Sequence, residues 1–217
     1  MIRLCVVCEG ATEAEFVKTS IEPHLRRFDI HTYPSLLKTK PGRTGGGNVS
    51  VGRLVKHFRN EYLNTDVVTS LVDYYGFKDK GNQDPSQLEK TIQTEVETNL
   101  RHYDRRRILP YVQVHEFEGL LFSDVTGFEW VIDGWSQQAF TQLDRIAKGF
   151  RTPEDINDSP ITAPSKRLAG VFGRTYNKVE HGPIVAEAIG LDSIRSKCPR
   201  FNRWISRLEQ VGDTITT

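Results

Sequence analysis

The stretch CVVCEGATEAEFVK, from Cys5 to Lys18, decides the fold. It opens as the end of an apolar run over residues 2–7, interrupted only by Arg3, and closes as a charged helix. An apolar run of that length reads as a strand buried on both faces. The pattern over residues 11–27, with Phe16, Ile21 and Leu25 on one side, reads as a helix. Gly10 suits the sharp turn between them because it has no Cβ to clash. Glu9, Glu13 and Glu15 crowd that turn. A helix starting near Gly10 puts Glu13 one turn beyond Glu9, so both face one spot.

Working outward, the same unit repeats. Residues 30–37 form a second strand candidate and residues 51–62 an amphipathic helix; residues 67–72 are a third strand, ending at Asp73. Residues 85–103 read as a charged helix, and residues 108–114 as a fourth strand within YVQVHEFEGLLFSD, which then supplies Glu116 and Glu118. Strands alternating with helices of this length predict an α/β fold, Rossmann-like, with a mostly parallel sheet flanked by helices. After Asp124 the strand signal fades into helical patterns at residues 136–150, 165–172, 184–189 and 193–210. The expected organisation is an α/β domain over residues 1–124 with a helical C-terminal extension, residues 125–217, packed on it.

Composition narrows the function classes. The 217 residues carry a formal net charge of +1, with 37% hydrophobic and 26% charged residues, so any polyanion contact must use a local patch. No apolar stretch approaches the roughly 18–20 residues that span a bilayer, and the N-terminus shows no signal-peptide pattern. The chain is expected to be cytoplasmic, with no membrane partner. Cys5 and Cys8 form a CxxC inside a strand rather than at a helix start, where a thiolate would be stabilised. They read as small core residues.

In an open parallel sheet, ligands bind beyond the carboxyl ends of the strands. Glu9, Asp73 and the pair Glu116 and Glu118 all leave strands there. Carboxylates gathered at one edge repel unless a cation sits between them. A hard oxygen donor set without cysteine or paired histidines points to Mg²⁺ or Mn²⁺, as one or two ions. The plainer reading of each acid is a helix N-terminal residue complementing the dipole.

The segments VVCEGATE and SLVDYYG resemble the first two motifs of TOPRIM domains. The fuller pattern is EGxTE, VHEFEGLLFSD, APSKRL and AEAIGLDSIRSKCPRFNRWISRLE. It is similar to an uncharacterised TOPRIM-like bacterial family related to the nuclease domains of overcoming-lysogenisation-defect (OLD) proteins. The resemblance implies a metal-dependent nuclease, an effector of antiviral (anti-phage) defence, acting on DNA. It also implies a nearby ABC- or AAA-type ATPase as partner, and a homo-oligomer is compatible with it. Carried over, Glu9, Glu13, Asp73, Glu116 and Glu118 are the expected metal ligands, with Glu9, Asp73 and Glu118 catalytic. One departure is plain: the usual DxD is absent, and Tyr75 stands where its second acid belongs.

Cations remain to be assigned. Lys178 and Lys166 are candidates to support a phosphate near the acids. KTKPGRTGGGNVS offers Lys38, Lys40 and Arg43 as phosphate contacts on a glycine-rich loop, or as a solvated loop; it lacks the Lys-Ser/Thr of a P-loop. Arg105, Arg106 and Arg107 suit a nucleic-acid backbone or a solvated helix end. The expected activity is Mg²⁺- or Mn²⁺-dependent phosphodiester hydrolysis. The alternative is a non-catalytic scaffold docking on an ATPase or a nucleic acid, which Tyr75 favours.

Overall fold

The computed structural model describes residues 1–37, 49–100, 102–157 and 161–216. The glycine-rich loop with Lys38, Lys40 and Arg43 therefore lies outside the described residues. Two compact units divide the chain: residues 1–113 with 204–217, and residues 114–203. This division falls elsewhere than the 124/125 boundary, and its first unit is discontinuous. The returning segment is anchored by Trp204, which stacks on Tyr111 at 4.5 Å and donates its indole N–H to Thr69 Oγ1 at 2.8 Å.

The first unit carries the sheet. Strand β1 (Ile2–Cys8) leads through α1 (Ala11–Phe16), a π-helical turn and α2 (Glu22–Leu25) to β2 (Ile30–Leu36). Helix α3 (Val51–Tyr62) precedes β3 (Val67–Asp73), and α4 (Pro85–Asn99) precedes β4 (Ile108–Leu109) and β5 (Val112–Gln113). All pairings are parallel, in the order β2-β1-β3-β4, with β5 also on β3. The expected fourth strand is thus two short pieces. Pro110 between them has no N–H to give a ladder.

Burial matches the apolar runs. All seven residues of β3 are buried, as are the last five of β1, as central parallel strands require. Edge strand β2 is half-exposed and accommodates Pro34. Cys5, Val7, Val68 and Val72 form one sheet face with Leu54, Phe58, Leu88 and Ile92 in a single core cluster. The three cysteines are free and buried, and burial raises the Cys5 and Cys8 thiols above their usual range.

The second unit is helical. It contains α5 (Gln137–Lys148), α6 (Pro164–Phe172), α7 (Lys178–Ile189) and α8 (Leu191–Lys197), preceded by 3₁₀ turns Phe117–Ser123 and Val125–Trp130. Helix α9 (Pro199–Glu209) begins here and continues into the first unit, where α10 (Val211–Thr216) follows. The single helix expected over residues 193–210 is broken before Pro199, where the ring cannot continue the hydrogen-bond ladder. Among the described residues no helix is long and apolar enough to cross a membrane.

Candidate metal centre

The chain runs from β1 outward to β2, then crosses back to β3 on the other side of β1. The carboxyl ends of β1 and β3 therefore flank the topological switch point, where open α/β sheets bind ligands. Cys8 is in register with Leu71, so Glu9 and Asp73 leave adjacent strands at nearly the same height.

Three features of this edge are specific. Asp73 is buried at 7% exposure. The Glu9 carboxylate lies so close to Gly76 that a Cβ there would stand 2.5 Å from Glu9 Oε2. Glycine at 76 is therefore the space in which that carboxylate sits. Glu13 is buried, and its Oε2 accepts the Gly10 amide at 3.0 Å, which closes the first turn of α1.

The turn after Asp73 is stitched by Lys80. Its ammonium donates to the carbonyls of Tyr74 and Phe77 at 3.2 and 3.1 Å and lies over the Tyr74 ring at 4.6 Å. The same ammonium is 5.8 Å from the centre of the Tyr75 ring, and burial lowers its pKa. A lysine folded over a tyrosine thus occupies the place of the second DxD acid. Asp79 is committed to the start of α3, accepting the Val51 amide at 3.0 Å.

The acids of the second unit are arranged differently. Glu118 is wholly buried and takes an ion pair from Lys178 at 3.2 Å. Its other oxygen, Oε1, is buried without a hydrogen bond among the described residues, as is the Tyr176 hydroxyl. Burial pushes the Glu118 carboxyl up; Lys178 pulls it down, and the neighbouring Glu116 pushes it up again. Burial wins over the ion pair. Glu116 Oε2 accepts the Ser165 amide at 2.9 Å, at the start of α6. Lys166, one residue on, is exposed.

A model of the domain of unknown function DUF4276 matches residues 8–209. The chain belongs to the DUF4276 family. This accords with the uncharacterised family to which the sequence motifs point. No curated protein matches the chain. Two solved structures of the C-terminal region of the Xanthomonas campestris pv. campestris OLD protein are similar to this DUF4276 chain. The one phased with iodine is 14% identical, covers 98% of this chain and 95% of its own, and has a TM-score of 0.49. The one phased with mercury is also 14% identical, with 98% and 96% covered and a TM-score of 0.47.

In this DUF4276 chain, Glu9, Glu13 and Asp73 belong to the first unit, whereas Glu116, Glu118, Lys166 and Lys178 belong to the second. Among the described residues no three His, Cys, Asp or Glu side chains are gathered closely enough to hold a metal. Mg²⁺, however, keeps several waters and is commonly held by one or two carboxylates plus a substrate phosphate. A two-carboxylate edge with a glycine cradle fits that mode of binding, and does not fit a closed cage of protein ligands.

The basic triplet divides three ways. Arg107 is spent internally: it donates to the carbonyls of Tyr62, Thr65 and Asp66 and lies over the Tyr62 ring at 4.0 Å. Arg106 is paired with Asp104, which holds that carboxyl below its usual range. Arg105 is exposed.

Two features escaped the sequence reading. Gly76 shows only as an ordinary turn glycine until the turn is folded against Glu9. Ser35, His57 and Glu61 also converge: Ser35 Oγ is 2.8 Å from His57 Nε2 and donates to Glu61 Oε1 at 2.8 Å. Glu61 approaches that same ring nitrogen at 3.5 Å. These contacts join β2 to α3.

Proposed function

We propose that this chain is a Mg²⁺- or Mn²⁺-dependent nuclease whose cation is held at the carboxyl edge of the first unit. The observation that carries the reading is the Glu9 carboxylate seated on Gly76 at the β1/β3 switch point, beside the buried Asp73. Glu9 and Asp73 are the direct ligands. Glu13 fixes the Glu9–Gly10 turn through the Gly10 amide. Lys80 fixes the Asp73–Gly76 turn through two carbonyls, and so keeps the cradle shaped. When bound, the ion supplies Lewis-acid stabilisation of a phosphoryl oxygen and lowers the pKa of its water. The TOPRIM resemblance of EGATE and SLVDYYG supports DNA as the substrate, a role in anti-phage defence and an ATPase partner.

Cleavage of plasmid and linear DNA with Mn²⁺, for wild type and for Glu9→Gln, tests the reading. Activity in wild type that falls by orders of magnitude in the variant supports it. Tyr75 in the second acid position favours a second reading, a non-catalytic scaffold docking on an ATPase or nucleic acid. Wild type inert with and without a co-purifying ATPase, and binding no ion, would favour that reading.

A further inference from the structure

A cleft of about 530 Å³ opens in the first unit, away from the carboxylate edge, between α4, the segment leading into β4, and the C-terminal helices α9 and α10. Lys90, Arg105 and Arg207 line it, all three exposed. Among the described residues none of the three has an ionic partner. Arg106 stands at the rim, tethered to Asp104 and to the Thr214 carbonyl at 3.1 Å. The one lining acid, Glu89, accepts the Val112 amide at 2.9 Å and so has part of its charge spent inside the fold. Leu109 and Pro110 form an apolar floor. In a chain of net charge +1, this is a local excess of positive charge in a concave place.

We infer that this cleft binds the sugar–phosphate backbone of a nucleic-acid duplex, as an accessory site distinct from the metal edge. The identity of the polyanion rests on the nuclease reading; the existence of an anion-binding cleft does not. Cations interleaved with a neutral donor, here the exposed Gln210, are what phosphate contacts use. No aromatic side chain lines the cleft, so it lacks the stacking platforms that single strands require. A peptide adding itself to the sheet edge would find only the two residues of β4 and then Pro110, which has no N–H to offer. Charge and shape are left as the means of recognition, and they suit a duplex backbone.

The register gives the separation of the two places along the sheet. β4 pairs with β3 at Val68 and Thr69, and Asp73 lies four to five residues farther along β3. At about 3.3 Å per residue that is roughly 15 Å, or about four base pairs of duplex at 3.4 Å each. One duplex can therefore reach both places.

The test is fluorescence anisotropy with a labelled 20-base-pair duplex in the presence of a chelator, so that no cleavage or metal is needed. Wild type is compared with the triple variant Lys90→Gln, Arg105→Gln, Arg207→Gln, whose sites are all exposed, with a circular-dichroism melt to verify folding. The variant is expected to bind about a hundredfold more weakly at 0.1 M salt. Its slope of log affinity against log salt should fall by about 2.7, three contacts at about 0.9 each. Because binding is read in chelator, the outcome does not depend on metal-dependent cleavage, which separates this inference from the metal reading. Unchanged affinity and slope in the triple variant would overturn the cleft. Polyglutamate competing as well as unlabelled duplex of equal charge would overturn the nucleic-acid assignment and make the cleft a protein-docking surface. Should the triple variant fail to fold, Arg105→Glu alone, on an exposed 3₁₀ turn, must weaken binding by about tenfold or more, or the inference fails.

Discussion

The two units of this chain carry their candidate carboxylates on different elements. In the first, Glu9 and Asp73 are delivered by the ends of two parallel strands, and the Glu9 carboxylate sits in room left by Gly76. In the second, Glu118 is carried on a short 3₁₀ turn and is already met by Lys178 at 3.2 Å. The edge pair is the one we propose takes an external cation. The difference teaches that the number of acids near a turn says less than which element brings them and what cation the chain supplies.

Substitutions can break that contrast. Glu9→Gln removes a negative charge while keeping size, so metal-dependent cleavage should fall by about a thousandfold or more, with the melting temperature unchanged. A variant that is fully active in a steady-state cleavage assay removes Glu9 from the centre.

Lys178→Met should act on stability instead. It leaves Glu118 buried without its ion-pair partner, a loss of about 3 kcal/mol, lessened by the lysine's own exposure, in urea unfolding. Its pH dependence is distinctive. Because burial raises the folded Glu118 pKa above 4.5, the folded state binds the proton more tightly than the unfolded chain. The stability from this group is full below 4.5 and is lost as pH rises through the folded value. Removing Lys178 raises that value further, so the variant should lose more stability than wild type between pH 4.5 and neutrality. Parallel pH–stability curves for the two proteins would contradict the pairing.

Gly76→Ala sharpens the cradle. The three atoms nearest the new Cβ all belong to the Glu9 carboxylate, so the clash falls on a flexible side-chain tip rather than on backbone. Cleavage should drop about tenfold while the melting temperature barely shifts. A large melting shift with normal activity would make Gly76 a packing residue instead. The smallest effect belongs to Lys80→Met, which gives up two hydrogen bonds to the turn carbonyls. It should cost about 1 kcal/mol in chemical denaturation, with a modest activity loss; an unchanged midpoint would show that the turn holds itself.

Much of this was legible before folding. The apolar runs leading into Glu9 and Asp73 announced buried parallel strands, and the strand-exit rule pointed to both acids. The break at Pro110 was printed in the sequence, yet the run around it looked continuous because hydropathy does not register a missing N–H. Helix α7 starts six residues before the expected position, since His181-Gly182-Pro183 hides its periodicity. Gly76 was illegible because its contribution is an empty volume defined by a distant side chain. Lys178 and Glu118 stand 60 residues apart, so their pairing at 3.2 Å required the fold. Arg107 read the same as Arg105, because only tertiary structure decides which guanidinium turns inward.

The central claim is that the β1/β3 edge binds a hard divalent cation through Glu9 and Asp73. Titration of Mn²⁺ into the 217-residue chain, followed by calorimetry, tests it most directly, with Glu9→Gln, Asp73→Asn and Glu118→Gln alongside. The account predicts binding in wild type, loss of it in both first-unit variants, and retention in Glu118→Gln, whose carboxylate is already paired with Lys178. Binding that survives Glu9→Gln and Asp73→Asn, or is abolished by Glu118→Gln alone, would contradict it.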